Sequence, residues 1–343
     1  MVENIIFKRK QNIKYGVKEY ANYYVVVTEI KGKDKYNILE NDKLMLDTWM
    51  DWIDDCSSNH ATNFNGCIRV RLKDKANIFN VKTKKYVYDK HYKDWFDGVC
   101  PECCTKYIPV YKHMGNDVKV NLLNSTNGKL ISKMWYDEAY GSDNYPIVVI
   151  IVRKRKQYNF LDEKGHFISS TWLGHVYPFE ETDNGLQAIV TFNGKSNVIK
   201  PDGNYISKQW FDNISDRVHY TSTDKRIVSY EVAQGNLWKG NNLFNHMRSD
   251  GTLLSETWWP KIRDIDPIGY IAVTDKGKVN IVTHSGKLIS DEWFNEITFE
   301  TLHWTRDQYV DVATFKLYCD DGTIKHVRYN KDIRDYEIYE LVE

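Results

Sequence analysis

An asparagine set between apolar residues is followed, about thirteen positions later, by a tryptophan, and the pairing returns seven times along the chain. The asparagines are Asn37, Asn77, Asn121, Asn159, Asn197, Asn245 and Asn280; the tryptophans are Trp49, Trp95, Trp135, Trp172, Trp210, Trp258 and Trp293. Five copies place a glycine seven residues before the tryptophan: Gly128, Gly165, Gly203, Gly251 and Gly286. Between glycine and tryptophan runs an apolar stretch ending in serine, as in Leu130-Ile131-Ser132 and Leu288-Ile289-Ser290. Tryptophan spacings of 46, 40, 37, 38, 48 and 35 give a period near 40. Such a period marks tandem supersecondary units that bury their apolar faces against one another.

Each unit reads as strands. Tyr270-Ile-Ala-Val-Thr alternates apolar with polar, a turn follows at Asp275-Lys-Gly-Lys, and Val279–Thr283 is a second run before the turn at His284-Ser-Gly. Short β-prone runs between Gly, Asn and Asp turns are hairpin signals, and no helix-period apolar stripe of a dozen residues occurs. The expected fold is all-β: about seven tandem β-hairpin repeats of about 40 residues, stacked as an open, twisted, solenoid-like array, with a seven-bladed β-propeller as the alternative. Residues 1–22 read as an N-terminal cap, 23–300 as the seven copies, and 301–343 as a divergent half repeat with a C-terminal cap.

Asparagine is disfavoured in strands, so its recurrence needs a cause. Two structural causes are expected: a left-handed backbone that asparagine tolerates, or a side chain bonding the neighbouring copy in a ladder. The tryptophans read as one core or seam position used seven times, with an exposed aromatic ladder for sugars or bases as the alternative.

These residues resemble the WG-repeat (KWG-repeat) family of bacterial and phage proteins. The family frame runs Gly-Lys-Trp-Gly-Phe-Ile-Asp, then Gly, an apolar pair and an aromatic-containing block. Gly194-Lys-Ser-Asn-Val-Ile-Lys-Pro-Asp-Gly203 and Gly277-Lys-Val-Asn-Ile-Val follow it over about residues 23–300, with Asn where the family has the second Gly. The resemblance implies a β-repeat scaffold and no particular chemistry.

Charge is balanced at 47 Lys+Arg against 47 Asp+Glu, which argues against a uniformly basic nucleic-acid binder. Hydrophobic content of 42% and aromatic content of 14% mark a folding chain. The N-terminus lacks the apolar stretch of a signal peptide and no 18-residue apolar run exists. A cytoplasmic protein is expected, in the host cytoplasm if phage-encoded, with no membrane contact.

Three chemical features stand outside the repeat. Five of the six cysteines fall within residues 56–104, and Cys56, Cys67, Cys100 and Cys103 together supply the ligand set of a structural zinc site. Free thiols of a reducing cytosol fit the same pattern. Arg153-Lys154-Arg155-Lys156 forms a basic cluster that suits phosphate or a soluble hairpin tip. Trp238 lies in an insertion of the sixth copy, outside the repeat register, and is the best single candidate for an exposed contact. The frames of zinc proteases, nucleophile-elbow hydrolases and nucleotide-binding loops do not occur. The sequence is therefore read as a non-enzymatic scaffold mediating protein–protein interaction, virion-associated and counter-defence roles both being compatible. A carbohydrate- or nucleotide-binding module using aromatic rows is the alternative.

Overall fold

The computed structural model describes residues 9–12, 23–54, 67–100, 106–141, 150–220, 225–235, 241–265, 269–274, 276–283, 286–304, 310–330 and 335–339. Among these the fold is all-β, built of small antiparallel sheets, with one single-turn 3-10 helix at Tyr92–Asp94. No helix among them is long and apolar enough to cross a membrane. Contacts divide the chain into two compact units, residues 1–172 and 173–343.

Each copy contributes a two-stranded hairpin with its asparagine in the second strand, such as Tyr107–Met114 with Asp117–Asn124. The sheets do not coincide with the copies. Each hairpin takes its outer strand from the chain just after the preceding tryptophan. Trp52–Ile53 thus pairs with Cys67–Leu72, Gly98–Val99 with Tyr107–Met114, and Glu138–Gly141 with Ile150–Lys154. At the start, Arg9–Asn12 fills this outer place against Tyr23–Ile30.

In the second unit, His175–Val176 serves Gly185–Phe192, and Asn213–Tyr220 serves Lys225–Gln234. An extra short strand, Glu180–Thr182, bridges Thr182 to Ile227 in parallel and joins those two copies into one seven-stranded sheet. After the seventh copy, Glu296–Trp304, Val310–Tyr318, Ile324–Asn330 and Asp335–Tyr339 form a four-stranded sheet where the sequence suggested half a repeat. This last sheet lacks the Asn–Trp pairing, so a motif count passes over it.

Within each unit, successive sheets bury their apolar faces against one another. Ala76 and Ile78 of the second hairpin pack with Ile108, Val110 and Leu123 of the third. Tyr107, Val120 and Leu122 pack with Ile150, Val152 and Leu161 of the fourth. Val279 and Ile281 pack with Phe315, Leu317 and Val327 of the last sheet. This continuous apolar stacking is what a repeat that cannot bury its own face requires.

The tryptophan is a seam residue, and the core residue is the one that follows it. Met50, Phe96, Tyr136, Leu173, Phe211, Trp259 and Phe294 are all buried. Of the repeat tryptophans only Trp95 is buried; the other six are half-buried. They lie along junctions: Trp135 packs tilted on Phe96 of the preceding copy at 6.3 Å, and Trp258 on Phe211 at 6.2 Å.

The recurrent glycine answers to the neighbouring backbone. A methyl placed on Gly165, whose φ is +81°, would sit 1.8 Å from the Ile131 carbonyl oxygen of the copy before. Gly286, at φ +88°, would meet the Leu254 oxygen at 1.7 Å. Both the left-handed conformation and the close approach exclude a side chain there.

Candidate interaction surface

The seven asparagines are buried, each 2% exposed or less, and none lies in the left-handed region. Nor do their side chains bridge copies. Both expected causes are corrected by the hydrogen bonds. In the fifth copy the Asn197 amide donates to the carbonyls of Ser207 (2.9 Å) and Gln209 (3.1 Å), while its oxygen accepts from the Val198 N–H (2.7 Å). Asn121 does the same with Ser132, Met134 and Leu122; Asn159 with Ser169, Thr171 and Phe160. Asn245 and Asn280 repeat the set with Ser255, Thr257 and His246, and with Ser290, Glu292 and Ile281. In the first copy one residue, Leu46, supplies both the carbonyl and the second N–H.

The asparagine thus satisfies the backbone of the sharp corner that leads into the tryptophan, where no strand partner is available. The serine completes the corner. Ser207 Oγ accepts from the Gln209 N–H at 3.1 Å, and Ser132, Ser255 and Ser290 do likewise two residues on. Beyond the corner, the residue after the tryptophan bridges the one before the asparagine, as Val120 with Tyr136 and Ser196 with Phe211.

A second recurring device ties one copy to the next. Two residues before the asparagine stands a lysine, and two after the tryptophan an aspartate. Lys35 pairs with Asp51, Lys75 with Asp97, Lys119 with Asp137 and Lys195 with Asp212. The second carboxylate oxygen of each accepts a backbone N–H from the following hairpin: Lys73, His113, Arg155 and Gly235 respectively. In the seventh copy Lys278 meets Asn295 and Asp320. Where the lysine is absent, the acid is absent too: Gln157 goes with Gly174, and Leu243 with Pro260.

The Lys119 bond holds the Asp137 carboxyl below its ordinary range, and the Lys195 bond does so for Asp212. For Asp97, burial pushes upward but is outweighed by Lys75 and the His113 N–H. Every described carboxyl that departs from its ordinary value is held below it, by a lysine or by side-chain and N–H donors of its own turn, as at Asp162, Asp202 and Asp250, where the Thr252 hydroxyl leads. A general acid working near neutrality needs the opposite shift.

The residues singled out in the sequence fall as follows. Trp238, Cys56 and Cys103 lie outside the described residues. Cys67 opens a strand, packs beside the Ala76–Ile78 cluster, and receives the Asn80 amide at 3.6 Å; burial pushes its thiol up. Cys100 is half-buried, its N–H donating to the Pro109 carbonyl. Among the described residues no three His, Cys, Asp or Glu side chains converge as a metal would need.

The basic cluster is a hairpin end. Arg155 and Lys156 form the turn itself, at φ 51° and 66°, and are exposed. Arg153 reaches back to Glu138. This is the hairpin-tip arrangement that the sequence offered beside phosphate binding.

Beside the corners the described aromatics form short pairs, one on the buried Trp95 and two on half-buried tryptophans. Tyr86 packs on Trp95 (5.0 Å), Phe167 on Trp172 (5.4 Å) and Tyr205 on Trp210 (5.0 Å), in each case beside the corner. Burial, with Asp47 nearby, pushes the Tyr86 phenol up to about 12. The exposed apolar side chains include Ile30 and Met114, which share one repeat position at the end of the first hairpin strand, Phe167 and Leu288, which share another, and Val118, Tyr177 and Leu243, each at a position of its own.

No family model and no curated protein matches the sequence. Solved structures align over much of it at low likeness. A eukaryotic initiation factor shares 8% identity over 80% of this chain and 76% of its own, with a TM-score of 0.30. Kluyveromyces lactis Hsv2 shares 13% over 80% and 94%, at 0.26, and TolB from Acinetobacter baumannii 10% over 68% and 62%, at 0.22. Likenesses at these TM-scores assign neither architecture nor role.

Proposed function

We propose that the protein is a non-enzymatic β-repeat scaffold that holds a partner protein, in a bacterium or a phage as the repeat resemblance implies. One observation carries this reading: the recurring polar residues are consumed inside the scaffold. Asparagine and serine hold corners, lysine and aspartate tie copies together, and glycine admits a neighbouring carbonyl. What remains at the surface combines positions shared between copies with single-copy ones such as Val118, Tyr177 and Leu243, and the single-copy positions suit one macromolecular partner.

The test is cross-linking of the tagged chain in bacterial lysate, with untagged protein as competitor. A partner cross-linked to hairpin residues and displaced by stoichiometric competitor supports the scaffold. The second reading, a sugar- or nucleotide-binding module, draws on the Tyr205–Trp210 and Phe167–Trp172 edge pairs. Saturable quenching of tryptophan fluorescence by an oligosaccharide, abolished by Trp210→Phe with Tyr205→Ala, would replace the scaffold reading with that one.

A further inference from the structure

The third copy contains a groove at its junction with the following sheet. It lies between the hairpin Tyr107–Met114/Asp117–Asn124 and the following outer strand Glu138–Gly141. Tyr111, Val118, Val120, Asp137, Glu138 and Ala139 line a space of about 290 Å³, open to solvent on one side. That is room for one long side chain rather than a cofactor.

Three departures from the repeat create it. The fourth residue after each tryptophan is Ile53, Val99, Ala139, Val176, Ile214, Ile262 and Ile297, so the third copy alone lacks a branched side chain there. The third residue before each asparagine is Asp34, Asp74, Val118, Lys156, Gly194, Asn242 and Gly277, so the third copy alone is apolar. Val118 is nonetheless 51% exposed. Across the hairpin from the residue before the asparagine stand Val27, Arg71, Tyr111, Arg153, Thr191, Ala233 and Val273, so only the third copy offers an aromatic ring.

An emptied floor, an apolar wall and an aromatic wall thus coincide at one junction. The mouth is acidic. Asp117, Asp137 and Glu138 face Lys119, which reaches the two aspartates at 3.0 and 2.5 Å, and Arg153, which reaches Glu138. Three carboxylates stand against two cations, and the Glu138 side chain stays 44% exposed. An apolar occupant would desolvate these acids without return. A cation on an apolar stem would instead meet the Tyr111 ring and the carboxylates together.

We propose that this groove receives an arginine or lysine side chain of the partner protein, its stem on Val118 and Val120 and its charge between Tyr111 and Glu138. The assignment rests on the scaffold reading. The full-length protein is titrated with N-acetyl-Gly-Arg-Gly amide and the Val118 and Val120 methyl resonances are followed. Saturable shifts are expected, with binding roughly tenfold weaker for the neutral citrulline analogue.

Ala139→Val installs a residue type that the other copies tolerate. It should keep or raise the melting temperature while abolishing the shifts; Val118→Asn, the residue of the sixth copy, removes the apolar wall without adding charge and should weaken binding without unfolding. The assignment is overturned by an absence of saturable shifts, by equal binding of the citrulline peptide, or by unchanged binding in a folded Ala139→Val protein. Capture of a partner that survives Ala139→Val would also sink the groove while leaving the scaffold reading intact.

Discussion

Replacing Asn197 by alanine tests the corner directly. The side chain is fully buried and makes two donated bonds, to Ser207 and Gln209, and one accepted bond, from Val198. Alanine removes all three and leaves two carbonyls and one N–H without this partner. At about 1 kcal/mol net for each bond, the loss is about 3 kcal/mol, more if water cannot reach the freed groups. Glycine should be worse than alanine by about 0.5–1 kcal/mol, because the residue sits in an extended strand. Aspartate keeps the acceptor but turns a negative charge toward two carbonyls. Its pKa in the folded state is then raised, so its deficit should shrink as pH falls through that value toward the ordinary one.

The assay is urea unfolding followed by circular dichroism, with hydrogen exchange at the fifth-copy corner to separate local from global loss. A loss below about 1 kcal/mol for alanine, or glycine performing better than alanine, would refute the corner account and return the asparagine to a left-handed role.

Phe211→Ala should cost about 3–5 kcal/mol and exceed Trp210→Ala, because the phenyl ring is fully buried and the indole only half so; the reverse order would move the core to the tryptophan. Gly165→Ala should be poorly tolerated, since its methyl would collide with the Ile131 carbonyl. Gly277→Ala, at φ +80° with nothing within 4 Å, should cost only about 1 kcal/mol of conformational strain, and comparable melting temperatures for the two would argue against stacking at Gly165. Because the Asp137 and Asp212 carboxyls are held below their ordinary range, their contribution is present above about pH 4 and lost as pH falls through the lowered value. Lys119→Met should therefore flatten the acid limb of a pH–stability curve, an effect that high salt also diminishes; an unchanged acid limb would show the pair to be inert.

The hairpins and turns of the seven Asn–Trp copies were legible because period-2 alternation and glycine turns are local signals, whereas the last sheet, without that motif, showed only as half a repeat. The asparagine was visible, but its purpose was not. Its partners lie ten and twelve residues away, on a corner whose existence the strand pattern does not announce. The lysine–aspartate ties looked like ordinary surface charge. Only their joint loss, at Gln157 with Gly174 and at Leu243 with Pro260, marks them as a pair, and that comparison needs the register the structure supplies. Ala139 is harder still, because the absence of a branched valine or isoleucine side chain leaves no mark unless the six equivalent positions are already aligned. The basic run at Arg153–Lys156 was legible as a hairpin tip, but the pairing of Arg153 with Glu138 was not, because that partner lies fifteen residues away on another strand.

The offset between copy and sheet bears on how such a chain changes its length. Suppose recombination between the first two copies removes residues 50–95. Trp49 is then followed by Phe96, which takes the place of Met50 opposite Tyr36. Asp97 arrives where Asp51 stood, within reach of Lys35. Gly98–Val99 goes on to pair with Tyr107–Met114 as before. A cut from tryptophan to tryptophan therefore exposes no new strand edge, whereas a cut between sheets would strip one of its outer strand. Genes for such chains can gain or lose whole copies by unequal crossing-over with the ladders intact. The shortened protein should still unfold cooperatively, and failure to do so would show that these two copies are not interchangeable.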